Sequence, residues 1–97
     1  MARFYFDLVH DWGKLRDEEG DEYDDLDAAV QSAARSASEI GRVRVSKGDF
    51  TDVVIDVRDE RDQRVVTVTS SMKLIRHDTP PVEPNPKIPK GQTSSLQ

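Results

Sequence analysis

The chain predicts a small α+β domain of order β-β-α-β-β, one helix packed on a four-stranded, mostly antiparallel sheet. Three observations lead there. Arg3–His10 alternates with period two, placing Phe4, Phe6 and Leu8 on one face and Tyr5, Asp7 and Val9 on the other. Leu26 to Val43 carries apolar residues at helical spacing. Val53–Arg58 and Arg64–Thr69 then return to strand-like alternation.

Each element has a local cause. After the first strand, Asp11-Trp12-Gly13 reads as a turn, with Gly13 able to take a positive φ. Lys14–Asp17 is a short second strand, and Gly20 breaks the chain again. The helix starts at Asp24 or Asp25, where a carboxylate accepts from the first unpaired amides. Asp27 adds negative charge to the first turn, which the helix dipole favours. Leu26, Ala29, Val30, Ala33, Ala37, Ile40 and Val43 form its apolar side, and the alanines suit close packing on a sheet. Arg42, Arg44 and Lys47 complement the dipole at the other end, and Gly48 fits the position after the last turn. Gly41, about 1 kcal/mol worse than alanine in a helix, marks a place where the helix ends or bends.

Val53, Ile55 and Val57 point inward from the third strand, and Asp59–Gln63 is a charged connection. In the fourth, Val66 and Val68 alternate with Val65 and Thr67. Ser70–Asp78 is expected to form a short turn or helix in which Met72, Leu74 and Ile75 cover a sheet edge. Residues 1–78 are thus one domain. Residues 79–97 hold all five prolines and few large apolar residues, and are expected to be a disordered tail.

Composition narrows the function classes. Net charge is −5 and uneven: residues 1–30 carry ten acids and three bases, residues 31–50 four bases and two acids. An acidic first third argues against non-specific nucleic-acid binding, which works by neutralising phosphates. Cysteine is absent, so disulfides and thiolate metal sites are ruled out. No apolar run approaches the roughly 20 residues of a membrane span, and the first residues lack a signal-peptide core. A cytoplasmic protein is the expectation. A core this small supplies only about 3–5 kcal/mol of net stability, so self-association, as a homodimer, is expected too.

Several short motifs occur in order: the aromatic strand Arg3-Phe4-Tyr5-Phe6-Asp7, the turn Asp17-Glu18-Glu19-Gly20, the helix start Asp25-Leu26-x-Ala28-Ala29, and the hairpin Val57-Arg58-Asp59-Glu60 leading to Arg64-Val65-Val66-x-Val68. Over residues 3–69 they resemble a family of small uncharacterised bacterial domains, common in proteobacteria. The resemblance implies the α+β fold and a bacterial origin; that family has no assigned activity, so it implies no catalytic residues. Its members usually carry a glycine in the final hairpin turn, where Arg61-Asp62-Gln63 stand here. There is a weaker similarity to antitoxin-type domains with a partial ribonuclease-H-like sheet, which place a polar turn before an Ala-rich helix but usually have three strands ahead of it.

No grouping of residues specifies a reaction. The acidic run from Asp17 to Asp25 lacks EF-hand spacing, because Leu15 would fall at the first ligand position if Gly20 were the sixth. It reads as a solvated loop and helix cap. His10 and His77 have no spacing that pairs them on a metal or a nucleophile, and no serine sits in a Gly-x-Ser-x-Gly elbow. No catalytic residue, metal site or cofactor is therefore expected. The expected role is a non-enzymatic protein–protein interaction module, either self-associating or binding another protein. Its contact residues would be Tyr5, Val9, Val54 and Val65 on the second sheet face, with Trp12 and, beside it, Tyr23 as aromatic contacts. The alternative is a nucleic-acid-linked or antitoxin-like regulator, with Arg35, Arg42, Arg44 and Lys47 as its basic helix face; a metal-dependent module ranks below both.

Overall fold

The computed structural model describes residues 1–78, and the expected tail lies outside the described residues. Five strands and one helix follow the chain as β1 (Ala2–His10), β2 (Gly13–Leu15), β3 (Asp21–Tyr23), α1 (Leu26–Ser46), β4 (Val53–Arg58) and β5 (Arg64–Ser70). The sheet runs β2-β1-β4-β5, antiparallel throughout, and β3 also pairs with β1. The expected architecture is present, with one strand more.

That extra strand comes from the acidic segment. Asp21–Tyr23 pairs with Phe4–Ala2, while Gly13–Leu15 pairs with His10–Leu8. Both short strands therefore lie along the outer edge of β1, one at each end. Two acids in three residues give no strand signal of their own; β1 imposes the extended conformation by pairing. Gly20 makes the entry possible. Its φ is +67°, and a Cβ there would lie 2.6 Å from the Phe4 carbonyl oxygen and 2.8 Å from the Tyr5 ring.

Asp25 caps α1, its Oδ1 accepting from the Ala28 amide at 2.8 Å. The helix ends in a Schellman turn: the Gly48 amide donates to the Val45 carbonyl at 2.9 Å and the Asp49 amide to that of Arg44 at 2.9 Å, with Gly48 at φ +82°. It runs unbroken through Gly41, which lies against Ser70 and Val53 instead of bending the axis.

The core lies between α1 and one sheet face. Ala29, Ala33 and Ala37 are fully buried against Phe4, Val53, Ile55 and Val57, with Phe6, Leu8, Ile40, Val66 and Val68 around them. Tyr23 joins this face, stacked on Phe6 with ring centroids 5.6 Å apart. The apolar stripe is narrower than its spacing suggests, since Leu26 and Val43 at the helix ends stay largely exposed. Between β5 and Asp78 the chain forms no helix, and Met72, Leu74 and Ile75 are 50%, 60% and 62% exposed rather than covering the sheet edge.

Two substitutions test this packing. Gly20→Ala combines a positive φ with a backbone clash and should cost about 2 kcal/mol or more in urea unfolding. Ala33→Leu should lose about 1–3 kcal/mol by overpacking the helix against the sheet.

Candidate functional site

The face of the sheet turned away from α1 carries the chain's most unusual chemistry. Asp7 on β1 and Asp56 on β4 are directly opposite in the strand register, and each is only 3% exposed. Two carboxylates side by side repel one another, so both need compensation. Arg58 supplies it to Asp7, donating from Nε to Oδ2 at 2.8 Å and from Nη2 to Oδ1 at 3.1 Å in a bidentate pair. Lys14 Nζ stands 2.8 Å from Asp56 Oδ2, Thr67 donates its hydroxyl to Asp56 Oδ1 at 2.6 Å, and Arg64 lies 3.6 Å away.

Arg58 does more than pair. Its Nη2 also donates to the Asp17 carbonyl at 2.8 Å, its Nη1 to Asp62 at 2.9 Å, and its guanidinium lies 4.7 Å from the centre of the Tyr5 ring. Asp62 in turn accepts from Arg16 at 2.8 Å. Within the Arg61-Asp62-Gln63 turn, Asp62 has φ +65°. Asp62 thus fills a left-handed turn position and uses its carboxylate to close the network. Asp59 organises the same turn, its Oδ1 accepting from the amides of Arg61 and Gln63.

Asp17 fixes the acidic loop to the sheet. Its amide donates to Asp7 at 2.9 Å, and its own carboxylate accepts from the Phe6 amide at 3.0 Å and the Gly20 amide at 3.1 Å. The carboxylate thereby satisfies part of β1 in the gap between β2 and β3. Among the described residues no three His, Asp or Glu side chains converge on a cation-sized site.

The ionisation of these carboxylates follows from their neighbours. Burial pushes Asp7 up, but the hydrogen bond from Arg58, the Asp17 amide and the charges of Arg58 and Arg16 outweigh it and hold Asp7 below its ordinary value. Asp56 likewise lies low: burial raises it, and Lys14, Thr67 and the Arg64 charge more than compensate. The Asp7 hydrogen bond raises Arg58 further.

The residues expected to make contacts are distributed unevenly. Val9 and Val54 are direct cross-strand partners on the open face. With Trp12 they line a depression of about 350 Å³ at the end of the sheet, bordered by Arg44, Asp49 and Asp52. Tyr5 lies on the same face within the charged network. Val65, 39% exposed, is on β5. Tyr23 is not beside Trp12: it pairs with Ala2 at the far end of β1, on the helix side, whereas Trp12 stacks on His10 with ring centroids 4.6 Å apart. The hairpin β1–β2 sends the two aromatics to opposite ends of one strand. Sequence reasoning missed Asp7, Asp56, Arg58 and Asp17 as a unit. The available signal was charge inside otherwise apolar strands, which a folded sheet tolerates only when paired.

A small α+β domain with a helix on one sheet face and an ion-paired open face on the other is the class these features define. The chain belongs to the domain-of-unknown-function family DUF6894, whose model matches residues 3–71. No curated protein and no solved structure matches it. Among the described residues no helix is long and apolar enough to cross a membrane.

Arg58→Ala leaves Asp7 buried without its partner and should cost about 3–5 kcal/mol, read by urea unfolding. The pH dependence has a definite sign. Asp7 and Asp56 bind protons less readily folded than unfolded, so their stabilisation is complete above about pH 3.9 and is lost as pH falls through their lower folded values. Acid titration of Asp7→Asn should show a shallower loss of stability below that pH than the parent, from a lower starting stability.

Proposed function

We propose that this domain is a non-enzymatic protein–protein interaction module that self-associates as a homodimer in the cytoplasm, through the sheet face that no helix covers. The observation that carries this reading is the depression formed by Val9, Val54 and Trp12. Trp12 is 74% exposed yet oriented by its stack on His10. An aromatic anchor, an apolar floor and a charged rim of Arg44, Asp49 and Asp52 have the make-up of an interface hot spot.

Two further features support it. Val53 and Val57 are the largest fully buried side chains, so association adds apolar burial that the isolated chain has little of. The buried carboxylates Asp7 and Asp56 are each engaged by cations and hydrogen-bond donors, an arrangement suited to holding strands together rather than to accepting a proton from a substrate.

Native mass spectrometry and light scattering of the full-length chain should find an even-numbered assembly that dissociates on dilution. Trp12→Ala should weaken it about tenfold or more, and Val54→Asp should abolish it, with the thermal unfolding of the Trp12→Ala monomer unchanged. A monomer at all concentrations, or an assembly indifferent to both substitutions, would overturn the reading.

A further inference from the structure

The two edges of the sheet are finished differently. The outer edge of β1 is covered by β2, by β3 and, between them, by the Asp17 carboxylate on the Phe6 amide. The outer edge of β5 has no partner among the described residues. It is seven residues long, holds no proline or glycine, and is charged only at Arg64. Natural sheets blunt such edges with short strands, inward charges, prolines or covering loops. A long β-branched edge with none of these is a template for another strand.

A groove lies beside this edge on the helix side. Gly41 and Val45 of α1, Phe50, Ser70 and Met72 enclose about 230 Å³, and Arg42 stands among the lining residues. Every second side chain of a strand added next to β5 would face this side of the sheet, and one would meet the groove. Gly41 keeps the passage narrow but open, since a Cβ there would lie 3.3 Å from Ser70 Oγ. Backbone pairing along an edge with a pocket for an alternate side chain is the general form of strand-addition recognition.

Charge selects the occupant. The chain is −5 overall, yet residues 64–77 contain Arg64, Lys73 and Arg76 and no acid. Arg76 pairs with Asp78 and Arg64 lies 3.6 Å from Asp56, which leaves Lys73, with Arg42 as a further base at the groove. A second β5 would bring like charges to this edge, and residues 79–97, with two lysines and one glutamate, carry the same sign. The chain's own acidic stretch is committed elsewhere, pinned by Asp17 and paired as β3.

We propose that the edge of β5 and the groove beside it take up an extended acidic segment of a partner protein, as a sixth strand with one large apolar side chain seated between α1 and β5. This groove adjoins the Trp12 depression, the two sharing Thr51 in their walls, but Trp12 itself does not line it.

The test uses the full-length chain and two synthetic peptides of about seven residues. One alternates glutamate with valine and threonine around a central leucine, and its twin carries lysine for glutamate. Calorimetry should show the acidic peptide binding at least about tenfold more tightly than its twin, more weakly as salt screens the charges. Hydrogen exchange should show the outward-facing β5 amides, those not directed at β4, slowing on binding. Arg42→Glu, at an exposed position, should weaken the acidic peptide and favour the twin, while Trp12→Ala should leave both unchanged. The proposal is overturned if neither peptide slows exchange in β5, if both bind alike, or if Arg42→Glu has no effect. It is equally overturned if the outward-facing β5 amides, those not directed at β4, are already protected in the peptide-free protein, at all concentrations (the chain covers itself) or increasingly with concentration (a second copy occupies the edge).

Discussion

The guanidinium of Arg58 is the group on which this fold most depends. From one position near the end of β4 it reaches Asp7 on β1, the Asp17 carbonyl in the acidic loop and Asp62 in the β4–β5 turn. The acidic loop from Asp17 to Gly20 and the β4–β5 turn contribute no residue to the hydrophobic core, and Arg58 ties both to β1. The planar, five-donor head suits the task, because a lysine could not hold a carboxylate in two bonds and still donate to a carbonyl. Burying charge is costly, and replacing the whole network with apolar residues could match its stability. What ion pairing adds here is register. Asp7 and Asp56 stand opposite one another, and a two-residue slip would place a buried carboxylate against valine.

This arrangement gives the sheet two chemically different faces. On one face three alanines let α1 approach closely, and the apolar rows of β1, β4 and β5 are spent on that contact. On the other face the centre is ionic and apolar surface survives only at the margins, at Val9 and Val54 beside Trp12 and at Val65 on β5. The open face is therefore less oily than the alternation of its strands suggests. The two proposed contact surfaces therefore fall at one end of the sheet and along one edge of it, meeting at Thr51. Rigidity at the centre serves both, since strands locked by ion pairs present their margins in a fixed geometry.

The acidic segment shows how local composition and tertiary role diverge. Read alone, Asp17 to Asp25 is solvated loop and helix cap, and Asp25 does cap α1. But Asp17 is an internal fastener, Gly20 is needed for a close backbone approach, and Asp21–Tyr23 is a strand. None of these roles has a sequence period. Each exists because β1 is longer than β2 and offers unpaired backbone beyond it. Asp62 is a similar case: an aspartate sits in a left-handed turn where its side chain gains two arginine partners.

The sequence by itself determined the order of the principal elements, the inward row of each long strand, the capped start of α1 and the Gly48 exit. These depend on alternation, helical spacing and capping, all of which act within a few residues. Only the tertiary structure decided which charges are partners, that Trp12 and Tyr23 lie at opposite ends of β1, that Gly41 is a packing contact rather than a break, and that among the described residues none pairs with the outer edge of β5. Those outcomes depend on residues far apart in the chain (Arg58 and Asp7 are 51 positions apart), brought together only by the pairing of strands. A local pattern states which face a side chain occupies, and the fold alone states what it meets there.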